Sequence, residues 1–435
     1  MTDEIKRKIK QINSGTTPEG YSKRRWILYP NDWNYVKLNT CLSENKERNK
    51  DGVYTKDDVL SVSGERGVVN QIEFMGRSYA GESVLPYHVV ETGDIVYTKS
   101  PLKQNPYGII KLNKGNPGIV STLYAVYHCC NPITAEYLNY FFEIDEYLNS
   151  YLFPLVKKGA KNDMKVNNED VIKGEMALPP IDEQVKIVKI LQQCDKVIEL
   201  HEKELVELQK FKKASLRMLF PKKGCKFPET RFGGFDSEWK WRKVTEIGEI
   251  FIGLVTTMTS HYTDNGVLLI RNSDVKDGFF AFGDNPIYLD DEFAKKNSSR
   301  KHKVGDVITV HTGDIGTSAV ITENEDGSIG FATIVTRPNK DLIVPEYLCS
   351  YLNSEAHKNF AMNISTGDGR NNYNLKDYYK CMIPLPTLDE QQKICDYIEN
   401  LNKIIAFRQR EIQEWQQKKK SLMQLLLTGI ARADV

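Results

Sequence analysis

The sequence predicts an α+β chain: two similar α+β domains separated by a long antiparallel two-helix coiled coil, built as a pseudo-twofold internal repeat. Three observations predict it. The heptapeptide LPPIDEQ at 178–184 returns as LPTLDEQ at 385–391, an offset of 207 residues. Each copy opens a stretch whose apolar residues step by three and four, the spacing of a narrow helical seam. Ahead of each copy lie short β-branched runs such as GDIVYT, YGIIKL, GDVITV and SAVIT, set between Gly, Asn and Pro turns.

The elements follow in chain order. Residues 1–20 form an N-terminal segment in which MTDEIKRKIKQI alternates charge with isoleucine and offers no apolar core for export. No run of 18 apolar residues exists, so no membrane span and a cytoplasmic location are expected. A first domain occupies 21–176 and a second 222–381, and they share landmarks: Trp33 with Trp239, Gly93-Asp94 with Gly305-Asp306, Glu136-Tyr137-Leu138 with Glu346-Tyr347-Leu348, and Asp170 with Asp377. A more helical stretch lies near 134–152 and 345–361. A polar loop follows, KKGAKNDMKVNNED in one and STGDGRNNYNLKD in the other.

Helical regions occupy 177–221 and 382–435. Prolines 179, 180, 384 and 386 stand just ahead of the helices, where a missing N–H costs nothing. Asp182 and Asp389 are candidate N-caps, with Glu183 and Glu390 in the first turn. The first helix is expected to end near Phe220, before Pro221, and the second near Leu427, with Gly429 as the stop. Each is then about 57 Å long at ~1.5 Å per residue. Their seams are Ile187, Leu191, Ile198, Leu205, Leu208 and Leu219, and Ile394, Ile398, Ile405, Ile412, Trp415 and Leu426. The natural partner of one seam is the other copy, and a pseudo-twofold relation makes the pair antiparallel. Polar interruptions fall at equivalent places, His201 with Arg408 and Lys212 with Lys419. They either snorkel at the seam's edge or fix its register.

Bulk composition narrows the function. The chain is 40% hydrophobic and 27% charged with a net charge of +1, which describes a globular protein without the basic excess of a compact nucleic-acid binder. The eight cysteines show no CxxC and no zinc spacing, so reduced thiols and no metal site are expected. There is no P-loop, no HExxH and no GxSxG. An adenine-gripping (N/D/S)-P-P-aromatic loop is missing too, since Pro179-Pro180 is flanked by Leu178 and Ile181. The chain is read as non-catalytic, without a cofactor of its own. What remains are loops bearing basic, amide and aromatic side chains, which suit base edges and phosphates. Some lie at matching places in the two halves, Tyr97–Ser100 with Val310–Gly313 and Lys161 with Arg370. Elsewhere the domains diverge, VLSVSGERGVVNQIEF standing where the other has LLIRNSDVKDGFFAF.

With its two LPxxDEQ helices, its Trp-initiated domains and its GD(I/V) segments, the chain resembles the specificity subunit of Type I restriction-modification systems over essentially its whole length. The resemblance implies two target-recognition domains, each reading one half of a split, asymmetric site in double-stranded DNA, held apart by the coiled coil. It implies two modification (methyltransferase) subunits as partners, and restriction (translocase and nuclease) subunits in complexes that cleave. S-adenosylmethionine, ATP and Mg would belong to those partners. Residues 1–20 resemble the family's short N-terminal conserved segment. SPLKQNPYG after the first GD turn departs from the commoner Gly-rich pattern. The candidate DNA contacts are Tyr97, Lys99, Asn105, Lys157 and Lys161 in the first domain, and Arg271, Asn272, His311, Thr312, Arg370 and Asn371 in the second. The competing reading is a protein-interaction scaffold, two ligand domains on a coiled coil with no DNA; a catalytic methyltransferase or nuclease is disfavoured by the missing motifs.

Overall fold

The computed structural model describes residues 2–25, 27–158, 164–365 and 371–433. It divides into two compact units, unit 1 (residues 1–200 with 412–435) and unit 2 (residues 201–411). Both mix helix and sheet, and each contains a part of both long helices. The first rod runs Ile181–Leu219 and the second Leu388–Leu426. No helix among the described residues is long and apolar enough to cross a membrane.

The two units carry the same central sheet. In unit 1 the strand order is Leu42–Glu44, Tyr124–Cys129, Ile95–Thr98, Ile109–Leu112, all antiparallel. In unit 2 it is Gly248–Ile252, Ile334–Pro338, Val307–Thr309, Ser318–Val320, again antiparallel throughout. Two helices follow each sheet, Pro132–Glu143 and Asp145–Leu152 in unit 1, Pro345–Leu352 and Glu355–Ile364 in unit 2. The first helix of each pair begins with proline, whose fixed φ suits the first turn. A two-stranded ribbon then leads into each rod: Glu175–Leu178 pairs with Asn34–Lys37, and Met382–Leu385 with Lys240–Lys243. The buried Trp33 and Trp239 stand just ahead of the outer strand of each ribbon.

The central strand shows why alternation matters. Ile95 and Tyr97 point into the main core of unit 1, while Val96 points into a second small core with Leu60, Val90, Val120 and Val126. A strand covered on both faces hides every side chain, because successive residues alternate sides.

Within each unit the start of one rod lies beside the end of the other, in opposite chain directions. In unit 1, Ile187 and Leu191 share a core with Met423, Leu426 and Leu427. Lys419 meets Asp195 at 2.6 Å, and Arg432, past the second rod's end, meets Glu183 at 2.8 Å. In unit 2, Leu216 and Phe220 share a core with Ile394, Cys395 and Ile398. There His201 meets Arg408, and Ser215 meets Tyr397 at 3.3 Å. All twelve seam residues are buried or half-buried. Burying a Leu or Ile side chain fully is worth about 1.5–3 kcal/mol, so the rod ends are well anchored.

The repeated DEQ triplet is structural. Glu183, 7% exposed at its side chain, accepts from Trp33 Nε1 (3.0 Å) and from Arg432 Nε (2.8 Å) and Nη2 (2.9 Å). Glu390, 1% exposed, accepts from Arg231 Nε (2.7 Å) and Nη2 (2.8 Å). Gln184 donates to Pro179 O and accepts from Thr134 Oγ1. Gln391 donates to Leu342 O and Pro386 O and accepts from Val344 N–H. Glu and Gln thus clamp the start of each rod to its own domain. The aspartates differ from the N-cap expectation. Both rods begin two residues earlier than caps there would require, so Asp182 and Asp389 sit inside the first turn. Pro180 O receives the N–H groups of Glu183 and Gln184, and Thr387 Oγ1 receives that of Glu390.

The rod ends fall at Leu219 and Leu426, one residue short of the sequence reading. Gly429 does stop the second rod: its φ is +67°, and a Cβ there would lie 2.4 Å from Pro30 Cγ and 3.1 Å from Trp33. Only glycine fits a left-handed turn that close.

The polar seam residues engage specific partners. Lys419 joins Glu143 (3.0 Å) of the helix Pro132–Glu143 to Asp195 of the first rod. Burial depresses its pKa, but Glu143 and Asp195 outweigh that, so the ammonium is held above its ordinary range. Lys212 reaches Asp277 at 3.6 Å. His201 accepts from Arg408, which also pairs with Glu204 (3.0 Å) and Glu411 (2.7 Å).

Candidate nucleic-acid interface

The GD turn is the frame of the candidate surface in each unit. Gly93 and Gly305 have φ of +94° and +92°, and the aspartate that follows caps the turn through Glu91 N–H or Lys303 N–H. Both aspartates are buried, and a base from the neighbouring strand holds each: His128 Nδ1 meets Asp94, and Arg337 grips Asp306 through Nε (2.9 Å) and Nη2 (2.8 Å). Burial pushes the Asp94 carboxyl up, against the pull of Glu91 N–H and His128.

In unit 2 the strand leaving this turn, Val307–Thr309, leads on to His311 and Thr312, and several candidates meet there. Asn272 Oδ1 accepts from His311 N–H (2.9 Å), and its Nδ2 donates to Ala332 O (3.2 Å). His311 Nδ1 bonds Thr312 Oγ1 (2.8 Å), which donates to Asn372 Oδ1 (2.9 Å). Thr312 and Asn372 also form a β-bridge, and Tyr373 N–H donates to His311 O. Asn371 is adjacent and half-buried, with Nδ2 3.5 Å from Met362 Sδ. Burial lowers the His311 pKa, favouring the neutral ring that can both donate and accept. Arg271 precedes Asn272, its guanidinium bonded by Nε (2.9 Å) and Nη2 (2.8 Å) to the buried Asp274. That bond raises its pKa and fixes its orientation, so Arg271 is a buttressed arginine rather than a loose one.

Unit 1 does not repeat this cluster. Tyr97 is fully buried and donates from its hydroxyl to Tyr107 O (2.7 Å), so it is a core residue and not a surface contact. Asn105 is 7% exposed and donates to Asp145 (2.8 Å), so it too is turned inward. The reason is register. Counting from the GD aspartates, Tyr97 corresponds to the buried Thr309, and Lys99 to His311. Lys99 is half-buried and near enough to His88 to help keep that imidazole neutral. The backbone of Lys157 pairs with Lys165 in a two-residue ribbon. Lys161 and Arg370 lie outside the described residues. The sequence reading passed over the exposed Arg66, Phe74, Arg77 and Tyr79, although they stand in or beside the stretch it marked as divergent. Among the described residues no group of three or more His, Cys, Asp or Glu is placed to hold a metal, and all eight cysteines are free thiols.

A sheet-and-helix domain built twice, each copy leading into a long helix and each with its own polar loops at equivalent edges, defines a two-domain repeat protein. The family model for the Type I restriction modification DNA specificity domain matches residues 89–210 and 236–417, more than half of the chain. The chain therefore belongs to the Type I restriction-modification specificity subunit family. Among curated relatives it is 25% identical over 268 residues to the type I restriction enzyme MjaVIII specificity subunit of Methanocaldococcus jannaschii, covering 59% of this chain and 62% of that one. It is 23% identical over 433 residues to the putative MjaX specificity subunit of the same organism, covering 95% and 97%. Two solved structures share the fold. One, described as the structural basis of complex assembly and conformational transition of the type I R-M system, has a TM-score of 0.60 at 20% identity, over 94% of this chain and 99% of that one. The other, the S subunit of a Type-I system from M. genitalium, has a TM-score of 0.50 at 11% identity, over 93% and 97%.

Proposed function

We propose that this chain is the non-catalytic address reader of a Type I restriction-modification complex. Each unit's domain reads one half of a bipartite, asymmetric site in double-stranded DNA. The rods pair as an antiparallel coiled coil that fixes the unread spacer, and two methyltransferase subunits dock on the rods' outward faces and on the proline-led starts at 178–184 and 385–391. S-adenosylmethionine, ATP and Mg act on the partner subunits, with restriction subunits joining where the complex cleaves. The observation that carries the reading is one sheet topology built twice with unlike exposed edges. Support for paired rods comes from His201, whose partner Arg408 stands at the equivalent place of the other rod, 207 residues on. Tethering two modest readers makes the second contact intramolecular, which gives specificity without a large basic charge.

Methylome sequencing of cells with and without the chain tests this. A split motif that disappears with the chain is expected, and one added heptad in both rods should lengthen its spacer. A methylome indifferent to the chain, or a spacer indifferent to the insertion, contradicts the proposal.

A further inference from the structure

We propose that residues 60–79 of unit 1 are its DNA-reading edge, with Arg66 and Arg77 as the contacting cations and Phe74 and Tyr79 as the exposed rings beside them. The inference rests on the DNA-reading function proposed above and names the part of unit 1 that performs it. The need is plain: of the positions expected to read DNA in this unit, Tyr97 and Asn105 face the core.

The segment is rigid and anchored. Strand Leu60–Ser63 pairs antiparallel with Gly67–Asn70, and Leu60, Val62 and Val68 pack on Val96 and Val126 of the central sheet and on Val90 and Val120 of the ribbon beside it. A short helix, Gln71–Met75, follows; Asn70 caps it by accepting from Ile72 N–H and Glu73 N–H, and Gly76 closes it in the left-handed region. Gln71 then pins the chain back on itself, donating to Ser61 Oγ (2.7 Å) and accepting from Tyr79 N–H (2.8 Å).

What this scaffold presents outward is unusual for an unoccupied surface. Phe74 is 45% exposed, Met75 45% and Tyr79 57%. The Arg77 guanidinium lies 4.6 Å from the Tyr79 ring centre, and that of Arg66 lies 6.0 Å from Phe74. Arginine held over an aromatic face loses less freedom on binding, and its fork matches guanine O6 and N7 or a phosphate. The segment also carries Glu65 and Glu73, so it is no phosphate rail. Mixed charge with exposed rings fits base edges and thymine methyl groups better. The topology agrees with unit 2. Val59 bridges Ile119 in parallel, just as Leu269 pairs with Ile329, so the 60–79 segment leaves the fold where Arg271 and Asn272 leave it in unit 2.

The test is methylome sequencing of cells carrying Arg66→Ala with Arg77→Ala, Phe74→Ser with Tyr79→Ser, Arg77→Lys, and, in unit 2, Arg271→Ala. The half-site of unit 1 is the one that Arg271→Ala leaves unaltered. The double alanine variant is expected to relax a base there, or to lower methylation of the whole cognate site about tenfold or more, with the bases required in the other half-site unchanged. Arg77→Lys, which keeps the charge and loses the fork, should relax base identity with a smaller loss. An unchanged motif at unchanged occupancy in the double alanine and Arg77→Lys cells overturns the inference, as does a base relaxed only in the other half-site in Arg77→Lys cells with a normal melting temperature. A wild-type methylome without any split motif is a different failure: it removes the function, not the placement.

Discussion

The two units solve one architectural problem with different residues, and the difference shows which parts are scaffold. Each must fasten the start of one rod, through a buried glutamate, to an arginine that follows the other rod. In unit 1 the arginine is Arg432, and Glu183 is also held by Trp33. In unit 2 it is Arg231, and Glu390 has no tryptophan bond: Trp239 Nε1 is buried without a hydrogen-bond partner among the described residues. The repeat therefore conserves the charge pair and lets the supporting bond lapse. The same holds at the GD turn, where the buried aspartate is constant and its basic partner is His128 in one unit and Arg337 in the other.

The largest expected effect comes from breaking the charge pairs. Removing one partner of a buried ion pair costs about 3–5 kcal/mol, since the other charge is left without compensation. Arg231→Ala should approach that loss, because Glu390 is 1% exposed and its carboxylate has no second side-chain donor among the described residues. Arg432→Ala should cost less, about 2 kcal/mol, because Trp33 still donates to Glu183 and water reaches the site more easily. Urea denaturation of the two variants measures both; equal losses would mean that the tryptophan bond contributes nothing.

How much of this was legible beforehand depends on range. The rods announce themselves through a local seam, and Trp33, Trp239 and the GD turns through short motifs at chain positions that the fold reuses. The clamps do not. Arg231 stands twelve residues past Leu219 and Arg432 six past Leu426, so neither falls in the repeat. The reading edge was hidden for another reason. Equivalent positions are 207 apart in the rods but 212 apart at the GD turns, because the intervening loops differ in length. Strand register, not sequence offset, decides that Tyr97 matches Thr309 and points inward. Arg271 was visible as an arginine, but its tie to Asp274 is a contact only the folded turn creates.

A second contrast is acid sensitivity. Burial pushes the imidazoles of His302 and His357 in unit 2, and His88 in unit 1, down to about 4. These rings are neutral in the folded chain, whereas in the unfolded chain they take up protons near pH ~6.5. Their folded pKa is depressed, so the stability they carry is complete above ~6.5 and is lost as pH falls toward 4. One unit of pH below ~6.5 costs about 1 kcal/mol per histidine. Unit 2, with two such rings, should lose about twice what unit 1 loses. Hydrogen exchange of the full chain at pH 7.5 and 5.5, read peptide by peptide, reports each unit separately. Greater deprotection in unit 1 at pH 5.5 would reverse the assignment.

The smallest effect, and the sharpest for the comparison, comes from exchanging the bases at the GD turns. Asp306 is held by a guanidinium that stays charged at every relevant pH, whereas Asp94 is held by an imidazole. Arg337→His should therefore give the GD turn of unit 2 a pH dependence it lacks. Above pH ~6.5 the new imidazole is neutral, Asp306 loses its countercharge, and stability falls by about 1–2 kcal/mol; on acidification through that range part of the loss returns, opposite in sign to the buried-histidine effect. His128→Arg should do little, less than about 1 kcal/mol, because the His128 side chain is 48% exposed and solvent already screens the pair. Melting curves of both variants at pH 6 and 8 check this. If Arg337→His shifts between the two values just as the unsubstituted chain does, the buried aspartate is held by its turn and not by its base, and the two GD turns differ only in their spelling.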